Sequence, residues 1–347
     1  MIKIFRIIPV LLLFCFFACA SSETQQPETS DDEEIPSEFL ADFVLPQADA
    51  SLPISVFDEV WAYLLDGSEE TLRNEFPLSD VGYFGAEIDA YGKLVNVPDH
   101  RKVSFYQGRL HLVIACNGRA LTHFALLEGR PERTQLIADL LRAAEPYDGL
   151  QIDFEYVPQQ AGAAFLSFLI ELRQGLGDKI FSVALPARTR TLQNDVYDYA
   201  RILPHVDRIL VMAYDEHWST SAPGPVASMP WSRNVGAYSI RTIGAEKLIM
   251  GLPFYGRTWG DIAPNRAFFH SGIMRLHREH DSPEISRRDG VPTFVYNTSL
   301  TVTVFFDDAY SLSSRMEMYR NMGVRSVGFW CLGQETPEIW SLLRLSQ

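Results

Sequence analysis

The chain has 347 residues, 47% of them hydrophobic and 12% aromatic, with a formal net charge of −14. That composition can bury a large core and excludes a disordered chain. The acidic balance, −7 on the body beyond residue 50, leaves no basic footprint for nucleic acid, so no nucleic-acid partner is expected.

The first element is a targeting segment over residues 1–19. Lys3 and Arg6 precede an apolar run from Ile7 to Ala18. About 12 apolar residues are too few to span a bilayer, which needs about 20, and suit a signal peptide. Ala18-Cys19-Ala20 fits cleavage to a soluble exported protein, while Phe16-Phe17-Ala18-Cys19 fits a lipoprotein box with Cys19 lipidated. The lipid reading is the favoured one, and that anchor is the sole membrane attachment expected. Residues 20–50 hold nine acidic residues and no Lys or Arg, and they read as a solvated tether.

Residues 51–347 read as one body. Strand-like runs occupy Glu59–Leu65, Val81–Ala86, Leu110–Cys116, Leu150–Tyr156, Ile180–Leu185, Ile209–Tyr214, Leu248–Phe254 and Ser326–Cys331. Amphipathic segments such as Ala163–Leu176 and Ala309–Met322 alternate with them. Eight such units predict an α/β fold, the (β/α)8 TIM barrel, with a small α+β insertion at about 257–306 between strands 7 and 8. An open doubly wound sheet is the competing architecture. Cys116 and Cys331 lie in apolar runs and read as buried thiols. His277 and His280 sit in a charged stretch of the insertion and read as a solvated face, so no metal and no cofactor is expected.

The fourth run carries the chemistry. Strand alternation turns Leu150, Ile152 and Phe154 toward the helices, and Gln151, Asp153 and Glu155 into the barrel. Barrel interiors are mostly apolar, so three polar groups there need a hydrogen-bond network or a function. Asp153 and Glu155 stand about 7 Å apart along the strand. Two carboxyls in a poorly solvated site do not both ionise freely, and one is pushed toward the pKa that a general acid needs. Spacing alone leaves open a buried structural network.

Asp148-Gly-Leu-Gln-Ile-Asp-Phe-Glu155 resembles the D-G-x-D-x-D-x-E signature of glycoside hydrolase family 18, the chitinase-like family. Met212-Ala-Tyr-Asp215 resembles that family's M-x-Y-D, and Trp330 the tryptophan ending its eighth strand. Tyr214–Trp218, Pro223–Ser228, Pro230-Trp231, Gly251–Gly256 and Gly328–Gln334 resemble the branch of bacterial spore-cortex-lytic glycosidases. The resemblance implies a retaining, substrate-assisted hydrolysis of glycans containing N-acetylglucosamine, peptidoglycan or chitin-like. It implies Glu155 as acid and base, Asp153 as the group orienting the acetamido N–H, and Tyr214 as a donor to the acetamido oxygen. Asp215, Trp330, Trp231, Tyr255 and Gln151 are then expected to line the substrate groove, with Trp218 a further candidate. Gln151 departs from the Asp or Asn usual in the family, which puts the pH profile and rate in doubt. The alternative is a catalytically impaired, carbohydrate-binding barrel at the cell envelope. A structural lipoprotein presenting a surface to protein partners would not account for the carboxylate spacing. An N-acetylated glycan is the expected partner, and a monomer the expected state.

Overall fold

The computed structural model describes residues 45–260, 265–298 and 300–346. Eight parallel strands close on themselves: Glu59–Leu65, Asp80–Ile88, Arg109–Ala115, Gly149–Asp153, Ile180–Pro186, Arg208–Met212, Leu248–Pro253 and Ser326–Trp330. The eighth pairs with both the seventh and the first, and the first with the second, so the barrel leaves no open edge. The open doubly wound alternative is thereby excluded. Cys19 and the targeting segment lie outside the described residues, as does most of residues 20–50. At their end, the Ala48 N–H donates to Ser341 Oγ at 3.0 Å. No helix among the described residues is long and apolar enough to cross a membrane.

Each strand is apolar because both faces are covered. The outward face packs on helices: Phe154 stacks on Phe165 and Phe168 of helix Gly162–Gly175, with ring centroids 6.3 and 5.7 Å away. The helix Ala309–Asn321 starts where Asp308 and Ser311 cap each other's backbone N–H groups. Inside the barrel, Trp61, Tyr63, Val113, Ala184, Leu210 and Ile249 form one cluster. Cys116 and Cys331 are both buried, unbridged thiols.

Between the seventh and eighth strands lies the insertion. Its strands Gly256–Gly260, Arg266–Phe268, Ser286–Arg288, Val291–Asn297 and Thr301–Phe305 form an antiparallel sheet, with helix His270–Glu279 beside it. Ile273, Phe294, Val304 and Phe306 make its small core. His277 Nε2 lies 2.8 Å from the Pro283 carbonyl oxygen and His280 stacks on Tyr296, so both rings have structural contacts.

The end of the barrel where the strands begin is closed by charge, which the sequence reading missed. Arg109 grips Asp80 through two bonds of 2.7 Å and reaches Glu59 at 3.0 Å. Arg208 donates to Glu59 at 2.7 and 3.0 Å, and His111 Nε2 lies 2.8 Å from Asp80. Burial pushes the Asp80 carboxyl up, but hydrogen bonds from His111 and Arg109 outweigh it and hold it below its ordinary range. Removing one partner of a buried pair strands the other, at about 3–5 kcal/mol. Asp80→Ala is therefore expected to destabilise by that amount in urea melts. With a depressed folded-state pKa, the Asp80 contribution is complete above about pH 4 and is lost as pH falls through the depressed value. Asp80→Asn should correspondingly flatten the acid limb of stability against pH.

Gly149 passes close to the same cluster. A Cβ there would stand 2.3 Å from His111 Nδ1 and 2.6 Å from the Ile180 carbonyl oxygen. Both neighbours are fixed by the barrel, so Gly149→Ala is expected to cost about 3 kcal/mol by overpacking, measurable as a lowered denaturation midpoint.

Candidate active site

The fourth strand ends at Asp153, two residues short of the expected position of Glu155. The chain leaves the sheet because Phe154 is drawn into the helix layer and its carbonyl accepts the Tyr197 hydroxyl at 2.8 Å. The same hydroxyl accepts the Val157 N–H at 2.9 Å, so Tyr197 clasps the turn that carries Glu155. Glu155 thus opens onto the mouth of the barrel, exposed to solvent, while Gln151 and Asp153 lie buried below it. Barrel enzymes place their reactive groups at this end.

Gln151 is fully buried. Its Oε1 accepts a short hydrogen bond from the Tyr63 hydroxyl, and its Nε2 donates to Ser182 Oγ at 3.0 Å. Its amide is thus held by strands one and five. Asp153 Oδ1 is buried with no hydrogen-bond partner among the described residues. Burial, then the nearby Glu155 charge, pushes the Asp153 carboxyl well above its ordinary range. Glu155 is raised as well, by burial and then by the Asp215 charge. It is reachable by water in a recess walled by protein.

Tyr214 follows the sixth strand and sets its ring edge-on to Tyr255, with centroids 6.2 Å apart. Gly251 makes room for it: a Cβ there would meet Tyr214 Cε1 at 3.1 Å and the Val211 carbonyl oxygen at 2.8 Å. Burial and neighbouring acids push the Tyr214 hydroxyl well above its ordinary pKa, so it remains a donor. Asp215 takes a left-handed backbone, φ 58°, which Asp tolerates better than most residues. Its Oδ1 accepts the Tyr255 hydroxyl at 2.7 Å and Arg257 Nη2 and Nε at 2.9 and 3.2 Å. Arg257, the second residue of the insertion's first strand, also lies over the Tyr255 ring at 5.4 Å.

Trp330 ends the eighth strand, half-buried, and its peptide to Cys331 is cis. Its ring meets Tyr63 at 5.1 Å and Phe84 edge-on at 5.2 Å. Trp218 is 49% exposed and braced: Nε1 donates to Thr220 at 2.8 Å, and its carbonyl accepts Trp259 Nε1 at 3.3 Å. Trp231 lies in the first turn of helix Met229–Ile243, where its backbone N–H bonds the Ser228 cap at 3.3 Å. No ring contact or hydrogen bond joins it to the site among the described residues.

The structure therefore gathers Gln151, Asp153, Glu155, Tyr214, Asp215, Tyr255 and Trp330. It adds Tyr63, Ser182, Tyr197 and Arg257, which the sequence reading missed. Tyr63 was open to inference, since Glu59–Leu65 was read as a strand and Trp61 and Tyr63 share one face. Nothing in the local sequence marks Tyr197, which comes from a loop 40 residues beyond Val157.

Asp153, Glu155 and the Tyr214 hydroxyl lie at and just below the mouth of a closed eight-stranded barrel, an arrangement suited to acid–base chemistry. The chain belongs to the glycosyl hydrolases family 18, whose model matches residues 91–335. It is 29% identical over 210 residues to the glycosylase YvbX of Bacillus subtilis, covering 57% of this chain and 61% of that protein. It is 26% identical over 299 residues to the cortical fragment-lytic enzyme of Bacillus subtilis, covering 79% of this chain and 69% of that one. The chain thus spans about three-fifths of YvbX. The crystal structure of the Bacillus cereus spore cortex-lytic enzyme SleL superposes with a TM-score of 0.75 at 22% identity, covering 84% of this chain and 76% of that one, which is a likeness of fold.

Proposed function

We propose that the protein is an exported, retaining glycosidase that cleaves N-acetylglucosamine-containing glycans, with peptidoglycan as the favoured substrate, by a substrate-assisted mechanism. The single observation that carries the mechanism is the match to family 18, a family whose substrate-assisted reaction needs no second enzymic nucleophile. Asp153, Glu155 and Tyr214 all lie within the matched residues 91–335. On that reading the attacking group is the substrate's own acetamido oxygen. Asp215, whose Oδ1 accepts three donors from Tyr255 and Arg257, is held in the wall of the site.

In this scheme Glu155 protonates the glycosidic oxygen as the acetamido oxygen closes on the anomeric carbon. Asp153 accepts the acetamido N–H and balances the positive charge of the oxazolinium ion. Tyr214 donates to the acetamido oxygen and fixes its approach. Glu155 then takes a proton from the water that opens the ion. Trp330 forms the floor on which the sugar ring stacks. Asp215, Tyr255 and Arg257 hold the opposite wall. The targeting segment supports export, with Cys19 as the lipid attachment. The likeness to a cortical fragment-lytic enzyme supports a cell-wall glycan.

The test is digestion of peptidoglycan sacculi and of chitin oligomers by the purified protein, with mass spectrometry of the products. New N-acetylglucosamine reducing ends, released with the β-anomer first, support the reading. Tight glycan binding by calorimetry with no product from either substrate supports the impaired, binding-only barrel, which Gln151 keeps as the second reading.

A further inference from the structure

Glu155 leaves the fourth strand on a tight turn, Phe154–Val157, and the way that turn is closed decides where its side chain points. A β-turn ordinarily joins the carbonyl of its first residue to the N–H of its fourth. Here both groups bond one atom of a distant residue. The Tyr197 hydroxyl donates to the Phe154 carbonyl at 2.8 Å and accepts the Val157 N–H at 2.9 Å. Phe154, Val157 and Tyr197 are all buried, so neither backbone group has bulk water to fall back on. Glu155, exposed, projects from between the two fixed ends.

Tyr197 is itself braced. Its ring sits edge-on to Phe165 of helix Gly162–Gly175, with centroids 6.0 Å apart, and Arg188 lies 5.9 Å from its centre. Its backbone N–H donates to Asp195 Oδ1 at 3.1 Å. Asp195 in turn accepts Arg188 Nε and Nη2 at 2.6 and 3.0 Å. Two residues on, the Tyr199 hydroxyl ties the same loop back to the end of the fifth strand, donating to the Pro186 carbonyl at 2.7 Å. The packing against Phe165 and Arg188 asks only for a ring, which Phe would supply. The hydroxyl spends its donor and an acceptor site on the turn that carries Glu155.

Resting on the hydrolytic reading above, we propose that Tyr197 is a positioning residue for the acid: its hydroxyl, set into the turn from the loop after the fifth strand, holds Glu155 at the angle from which it protonates the glycosidic oxygen. In Tyr197→Phe the space left by one hydroxyl is too small to hold a water. The Phe154 carbonyl and the Val157 N–H then bond each other directly, the turn tightens, and Glu155 at its second position swings. A displacement of about 1 Å at a reacting group costs on the order of 10²-fold in rate. Asp153 and Trp330 stand on strand ends, and Tyr214 follows one, so the turn does not carry them and their hold on the sugar persists.

The experiment combines kinetics on chitin oligomers and an aryl N-acetylglucosaminide with NMR of the full chain carrying 13C in its Asp and Glu side-chain carboxyls. Y197F should lower kcat on oligomers by about 10- to 100-fold with KM little changed. It should lose less on the aryl glycoside, whose leaving group needs less protonation. Added to E155Q, it should cost nothing further, because an amide donates no proton from either position. Losses that add in Y197F/E155Q would overturn the proposal, as would a wild-type kcat for Y197F. D195A keeps the hydroxyl but frees the loop that aims it, and should show a smaller loss of the same kind; paired with E155Q, it carries the same cycle if Y197F does not fold. In the NMR arm the Glu155 signal, assigned with E155Q, should move and broaden in Y197F or D195A, while that of Asp80 at the far end of the barrel stays. An unmoved Glu155 signal would also overturn the proposal. That arm needs no turnover, so a wild-type chain that cuts none of these glycans, with the Glu155 signal moving as expected in the variants, counts against the hydrolytic reading and leaves the clasp standing.

Discussion

Glu155→Gln is expected to lower kcat on peptidoglycan or chitin oligomers by about 10³-fold, within the 10²–10⁴ span of general acid–base catalysis. KM should change little, because the amide keeps the size and the polar oxygen of the side chain. The fold should be indifferent. Glu155 sits in an exposed turn and makes no hydrogen bond among the described residues, so stability should stay within about 0.5 kcal/mol. In the bond-breaking step, an aryl glycoside with a good leaving group needs less protonation and should lose less. The pH dependence has a definite sign. Burial and the Asp215 charge raise the Glu155 carboxyl, so the acid form persists above the ordinary carboxylate range and activity falls as pH rises through the raised value. A Glu155→Gln protein of near-wild-type rate on oligomers would remove Glu155 from the mechanism.

Asp153→Asn should move activity and stability in opposite directions. Asn cannot supply the charge that balances the oxazolinium ion, and loss of one such electrostatic contact costs about 10²–10³ in kcat. Asp153 is, however, a buried acid without a partner for Oδ1, and its folded-state pKa lies well above the unfolded value. Such a group stays protonated in the native state and ionises on unfolding. Its favourable contribution is therefore complete below about pH 4 and is lost as pH rises toward the raised folded value. At neutral pH Asp153 weakens the fold, and Asn should relieve that by about 1 kcal/mol, or some 2–4 °C in melting temperature. The gain should vanish near pH 4. Calorimetric melts at pH 4 and pH 7, beside rate measurements, check both halves. A residue serving only as structure would lose activity and stability together.

Much of the fold was legible because the barrel writes itself into hydropathy. All eight strand-like runs found their strands, and the helices expected at Ala163–Leu176 and Ala309–Met322 run over Gly162–Gly175 and Ala309–Asn321. Boundaries drifted where a side chain outside the local pattern took control. The fourth strand stops at Asp153 because Phe154 belongs to the helix layer and Tyr197 claims its carbonyl. The Pro230-Trp231 motif suggests the groove for Trp231, and the structure sets that residue in the first turn of helix Met229–Ile243.

What the sequence by itself determined is the set of features with short-range periodicity or a fixed motif. These are the alternation that turns Gln151, Asp153 and Glu155 to one side, the strand–helix rhythm, and the insertion after the seventh strand. Only the tertiary structure decided how those groups are partnered. Tyr63 and Ser182 reach Gln151 from positions 88 and 31 residues away, and Arg257 reaches Asp215 across 42. The charged plug of Glu59, Asp80, Arg109, His111 and Arg208 likewise forms only when four strands meet at one end. Hydrogen bonds and ion pairs act over a few ångströms whatever the separation along the chain. The protonation of the carboxyls therefore depends on which distant strands barrel closure brings beside them.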